Sequence, residues 1–144
     1  VDNEIVYKVV RNLGGVRVSS VQGPVVLAYR VGEPTTACAE LPEAGPLAFT
    51  TYDLARKFAK EQARMSYLYG RDDHFEIYQA AASGVRPVSI LSTGFDIEWR
   101  RKFWRQPDSF PGTLVFDAPR GTVVTSSLTL VRPLWNEENG DLFI

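Results

Sequence analysis

The stretch "EIVYKVVRN", residues 4–12, decides how this chain is read. Apolar side chains fall on both sides of a period-two alternation. Ile5, Tyr7 and Val9 share one face; Val6, Lys8 and Val10 share the other. The spacing predicts a strand. "NLGG" follows, and Gly14 and Gly15 can take positive φ in a tight turn. "VRVSSV" alternates again, "QGP" turns, and "VVLAYRV" places Val25, Leu27, Tyr29 and Val31 on one face. Three short strands joined by tight turns predict an antiparallel meander.

Working outward, residues 32–46 ("GEPTTACAELPEAGP") read as a long loop and a candidate contact loop. "LAFTT" is a short strand entering a helix, with Thr50 or Thr51 as its cap and Asp53 near the positive end of the helix dipole. In "YDLARKFAKEQARMSY", Leu54, Ala55, Phe58, Ala59 and Ala63 form an apolar stripe. Lys57, Lys60, Glu61 and Arg64 face away. "HFEIYQAAAS" alternates as a strand. "VRPVSIL" is extended, and Pro87 makes it an edge strand or a loop. "GTLVFDA" and "GTVVTSSLTLV" are two strands separated by "PRG"; Trp135 and Phe143 of the tail pack back. The expectation is one small α+β domain over residues 1–144, mostly antiparallel sheet with one main helix on one face. Strands are expected near 4–11, 16–21, 25–31, 74–82 and 122–131, and the helix near 52–66.

The totals exclude several chemistries. Apolar residues are 44% and charged residues 23% of 144, which suits an ordinary globular domain. The net charge of −1 gives no general pull toward nucleic acid or anionic membrane. One cysteine, Cys38, forbids an internal disulfide, and one histidine, His74, leaves too few ligands for a zinc, haem or iron–sulfur site. No metal and no cofactor are expected. There is no G-x-S-x-G elbow, P-loop or G-x-G-x-x-G. The carboxylates Asp72, Asp73, Glu137, Glu138 and Asp141 do not match a calcium loop and read as solvated turns. No apolar run approaches the ~18 residues of a membrane span, so no membrane role is expected. A cytoplasmic location is the expectation.

One segment stands apart: "FDIEWRRKFWRQPD", residues 95–108. Arg100, Arg101, Lys102 and Arg105 are interleaved with Trp99, Phe103 and Trp104. Neither helical nor extended spacing buries all three rings on one face without drawing an arginine inward. That composition suits a protein hot spot or a single-strand nucleic-acid platform. Trp99, Arg100, Arg101, Phe103, Trp104 and Arg105 are therefore the candidate binding residues. At least one tryptophan is expected to be exposed.

Two resemblances add to this reading. The strands "VYKVVRN" and "LAYRVGE", the run "GPLAF" before "ARKFA", and the closing "GTVVTSSLTLVR" resemble small uncharacterised proteins of bacteria and phages. That resemblance implies no function, and it makes residues 84–111 look like an insertion. Arg11 at a strand end, "FTT" at Phe49, Thr50 and Thr51, then "ARKFA" and "FEIYQAA" also look similar to the ADP-ribosyltransferase fold. This second resemblance implies a nucleotide-type ligand cleft at Arg11, Thr50 and Thr51, beside the N-terminus of the main helix. The glutamate motif that would orient a nicotinamide ribose has no strand counterpart; Glu137 and Glu138 lie in the tail. The leading expectation is a domain that acts by binding, with no catalytic role. Its partner is another protein or a second copy, with single-stranded nucleic acid as the other candidate. The alternative is a nucleotide-type ligand binder or an ADP-ribosyltransferase-like enzyme.

Overall fold

A computed structural model describes residues 3–19, 26–39, 41–42, 44–71, 74–92, 97–107 and 115–143. Ser20, Val21 and Val25 of the expected strands, the Asp72–Asp73 pair, Gly112–Leu114, and Phe95, Asp96 and Asp108 of the aromatic–basic segment lie outside the described residues.

Strand β1 (Glu4–Leu13) is the hub. One edge pairs with β6 (His74–Ser83) along its length, from Glu4 opposite Ala82 to Asn12 opposite His74. The other edge is shared. Its second half pairs with β2 (Val16–Ser19), and its first half takes β5 (Leu47–Phe49) at Tyr7 opposite Phe49. The sheet forks there. One branch continues through β2 to β3 (Ala28–Tyr29); the other runs through β5 to β10 (Thr122–Val124) and β7 (Arg86–Pro87). Beyond β6 lies β11 (Ser127–Asn136), which also pairs with β4 (Pro34–Thr36) and β12 (Gly140–Asp141). Gly32 N–H donates to the Leu130 carbonyl at 2.9 Å, so the chain leaving β3 returns to the far side of the sheet. All these pairings are antiparallel.

This curling explains why β1 is apolar on both faces. Inside the curl, Val6, Val10, Tyr29, Tyr78, Ala80, Ala82, Leu128 and Leu130 form one core. On the outer face, Val9, Phe49, Phe75, Ile77 and Trp135 form a second core with α1 (Tyr52–Leu68). Ala55 and Ala59 are buried there, with Leu54, Phe58 and Ala63 beside them, as the apolar stripe requires. Thr51 is the cap: its side-chain oxygen accepts from Leu54 N–H. The helix ends in a Schellman turn, with Arg71 N–H donating to Ser66 and Gly70 N–H to Tyr67, and Gly70 at φ +67°.

The fold class is the expected one; three details differ. The expected strand 122–131 breaks at Thr125 and Ser126. Their N–H groups donate to the carbonyls of Pro46 and Ser83, 2.9 and 2.8 Å away, so β10 and β11 end up on opposite sides of β1. The 32–46 loop contributes β4 to the sheet. The tail is sheet as well: β11 runs to Asn136 and turns back into β12. Register shifts bracket Val131 and Leu134, and Pro133 sits between them, as a proline in a long strand must near bulges.

The break at Thr125 depends on Gly45. A Cβ there would stand 1.6 Å from the Thr125 carbonyl oxygen. Gly45→Ala is expected to destabilise the fold by about 2 kcal/mol or more, read as a lower urea midpoint at unchanged slope.

Candidate functional site: an aromatic and basic helix

Between β7 and β10 the chain builds a smaller unit. β8 (Ile90–Ser92) pairs with β9 (Val115–Asp117), Leu91 opposite Phe116. Helix α2 (Ile97–Arg105) packs against β8. Its anchor is Phe103, 1% exposed. The Trp104 ring meets Phe103 edge-on, with centroids 5.2 Å apart. Ile97, Arg100 and Trp104 complete the inward arc and are half-buried. Contrary to the expectation that the arginines stay outside, one is drawn inward: burial pushes the Arg100 guanidinium below its ordinary value, although a guanidinium keeps its charge.

The outward arc carries Glu98, Trp99, Lys102 and Arg105. Trp99 is 44% exposed, and the Lys102 ammonium sits 5.3 Å from its ring centroid. Glu98 pairs with Arg101 one turn on. Glu98 in the first turn and Lys102 and Arg105 in the last also match the helix dipole. Four cations against one glutamate leave α2 strongly basic in a chain of net charge −1. Of the candidate binding residues, Trp99, Arg101 and Arg105 thus reach the outer side or its margin. Phe103 holds the helix in place, and the ring left exposed is Trp99.

The alternative cleft residues are placed differently. Thr51 caps α1, and Thr50 N–H donates to the Gly121 carbonyl at 3.0 Å. Arg11 is buried, its Nε donating to the Ser19 carbonyl at 2.7 Å. Because β5 runs antiparallel to β1 from Tyr7–Phe49, Thr50 and Thr51 extend toward Val6 and Ile5. Arg11 lies toward the other end of β1, roughly 15 Å away at strand spacing. The structure does not bring the three residues to one cleft.

Sequence reasoning passed over Lys8. It is 5% exposed, and its amine donates to the Leu47 carbonyl at 2.6 Å, at the opening of the fork. The Tyr29 ring lies 5.1 Å from the amine, and Tyr78 is directly opposite on β6. Desolvation pushes the amine down to about 7, and burial pushes the Tyr29 hydroxyl up. Farther along the same face, Arg17 pairs with Glu76 at 2.9 Å and lies over the Tyr78 ring. The available signal was a lysine alternating with Val6 and Val10 on a face otherwise apolar.

Among the described residues no group of three His, Cys, Asp or Glu side chains is placed to hold a metal ion. No helix among them is long and apolar enough to cross a membrane. Compared with protein-family models, curated proteins and solved structures, the chain matches none.

The Lys8 environment fixes a pH dependence. Between about 7 and 10.5 the unfolded chain keeps a proton that the folded chain has released. Stability therefore rises with pH across that window, by up to ~1.4 kcal/mol per pH unit. Below about 7 both states are protonated and the cost is fully present. Lys8→Met should flatten this rise, measured as urea midpoints of variant and wild type from neutral to mildly alkaline pH.

Proposed function

We propose that this chain is a small binding domain that grips an acidic protein partner through α2. The observation that carries this is Trp99, held exposed beside Lys102 on a helix fixed by the buried Phe103. A large ring presented on an anchored helix loses little freedom on binding, and such rings dominate interface energetics. The basic outer arc selects a negatively charged surface and disfavours a second α2, because like charges would meet. A protein fits better than a nucleic-acid strand, since a single-strand platform stacks successive bases on several rings. Catalysis has no part in this reading.

Selection from a random peptide library tests it. Enrichment of acidic peptides with an apolar anchor is expected. Their affinity should fall at least tenfold in Trp99→Ala, with an unchanged circular-dichroism spectrum. No acidic enrichment, or full affinity in Trp99→Ala, overturns the proposal. So does tighter, steeply salt-dependent binding of a single-stranded oligonucleotide.

A further inference from the structure

Lysines Lys57, Lys60 and Lys102 are exposed, whereas Lys8 faces the inner core. Its amine stands where the sheet forks. Among the described residues, neither β2 nor β5 places a residue opposite Lys8 or Val9, because β2 pairs from Val10 onward and β5 pairs at Tyr7. The Leu47 carbonyl holds the amine at this gap, 2.6 Å away. Leu47 is itself half-buried, so water reaches the residue that holds the amine. A second group converges from the other branch. The Tyr29 ring, on β3, lies 5.1 Å from the amine, and the residue is 4% exposed. Among the described residues its hydroxyl completes no hydrogen bond of ordinary geometry, although the Ser19 side chain is near enough to favour ionisation slightly. A buried hydroxyl without a partner carries a cost that a bound acceptor would remove. Tyr78 stands opposite Lys8 on β6, and Arg17 and Glu76 farther along this face pair with each other.

We infer that Lys8 is a covalent binding site for a small uncharged aldehyde, taken up as an imine with the Tyr29 hydroxyl serving the aldehyde oxygen. The chemistry balances without another reactant. The amine lone pair bonds to the carbonyl carbon as the C=O π pair moves to oxygen. That oxygen takes a proton from the Tyr29 hydroxyl, and the new N–H⁺ returns one to the phenolate. The carbinolamine then expels its hydroxyl with the remaining N–H proton as water, and the nitrogen lone pair closes the C=N bond. Nothing is oxidised or reduced, and water reverses the step. A lysine attacks only as the free amine, and burial holds this one down to about 7 against the ordinary 10.5. Burial likewise keeps the Tyr29 hydroxyl protonated and able to donate. The ligand is uncharged because a charge would lose its water among Val6, Val10, Tyr29 and Tyr78. It is small because the gap spans two residues of β1, about 7 Å of strand. The site is separate from α2 and does not rest on the acidic-partner reading.

Reductive trapping tests this on the whole folded chain. Near neutral pH the protein is treated with propionaldehyde and cyanoborohydride, which fixes each imine as a secondary amine, and the labelled lysines are read by peptide mass mapping. Lys8 is expected to label at least about tenfold faster than Lys57, Lys60 or Lys102, and to lose that preference in urea. Tyr29→Phe removes a hydroxyl that holds no partner, so its thermal midpoint should stay at or above the wild-type value while Lys8 labelling slows severalfold. Exposed lysines that label ahead of Lys8 in the folded wild type overturn the inference, with no variant needed. A preference for Lys8 that survives in urea, or labelling at the wild-type rate in Tyr29→Phe, overturns it equally.

Discussion

The structure turns on the fork in β1 and the amine that sits in it. A strand edge offers one row of backbone groups, and here two strands divide that row. β5 takes the part near Tyr7 and β2 takes the part from Val10 onward. Thr50 N–H points to Gly121 on the β10 side, so by alternation Leu47 and Phe49 turn their polar groups toward β1. The Leu47 carbonyl therefore faces the opening, and Lys8 donates to it. Burying an amine costs several kcal/mol when it is charged. The cost is lessened because burial drives the group toward its neutral form and the Tyr29 ring lies beside it. Tyr29 and Tyr78, which flank the amine, both belong to the inner core, so the opening and that core share residues.

Much of this was legible in the sequence because local pattern and burial agree. β1, β6 and α1 are long, and their periodicities are set by cores on both faces of the sheet. A threonine cap at 50 or 51 and an edge strand or loop at Pro87 follow from backbone chemistry alone; the structure takes Thr51 and the edge strand. The break at Thr125 was not legible. "GTVVTSSLTLV" alternates without interruption, and what divides it is the approach of residues far away, Gly45–Pro46 and Ser83. Lys8 shows the same limit. Its alternation marks it as facing inward, yet a carbonyl 39 residues away in sequence decides its partner.

The candidate site was half legible. Helical and extended readings of 95–108 both leave a ring exposed so that no arginine need be drawn inward; Trp99 is exposed as that reading requires, and Arg100 departs from it by being half-buried all the same. Which ring would anchor the helix depended on β8 and β9, whose pairing no local pattern reveals. Phe103 takes that role, and its burial is what allows Trp99 to stand out on a fixed helix. The four cations of α2 suit the acidic partner proposed for it.

The claim underlying this account is that Lys8 is a buried amine at the fork. Its titration, followed by nuclear magnetic resonance through the carbon next to the amine in ¹³C-labelled lysine, tests that claim most directly. A midpoint near 7 is expected. A midpoint at the ordinary lysine value of 10.5 would place the amine in water and contradict the fork as described.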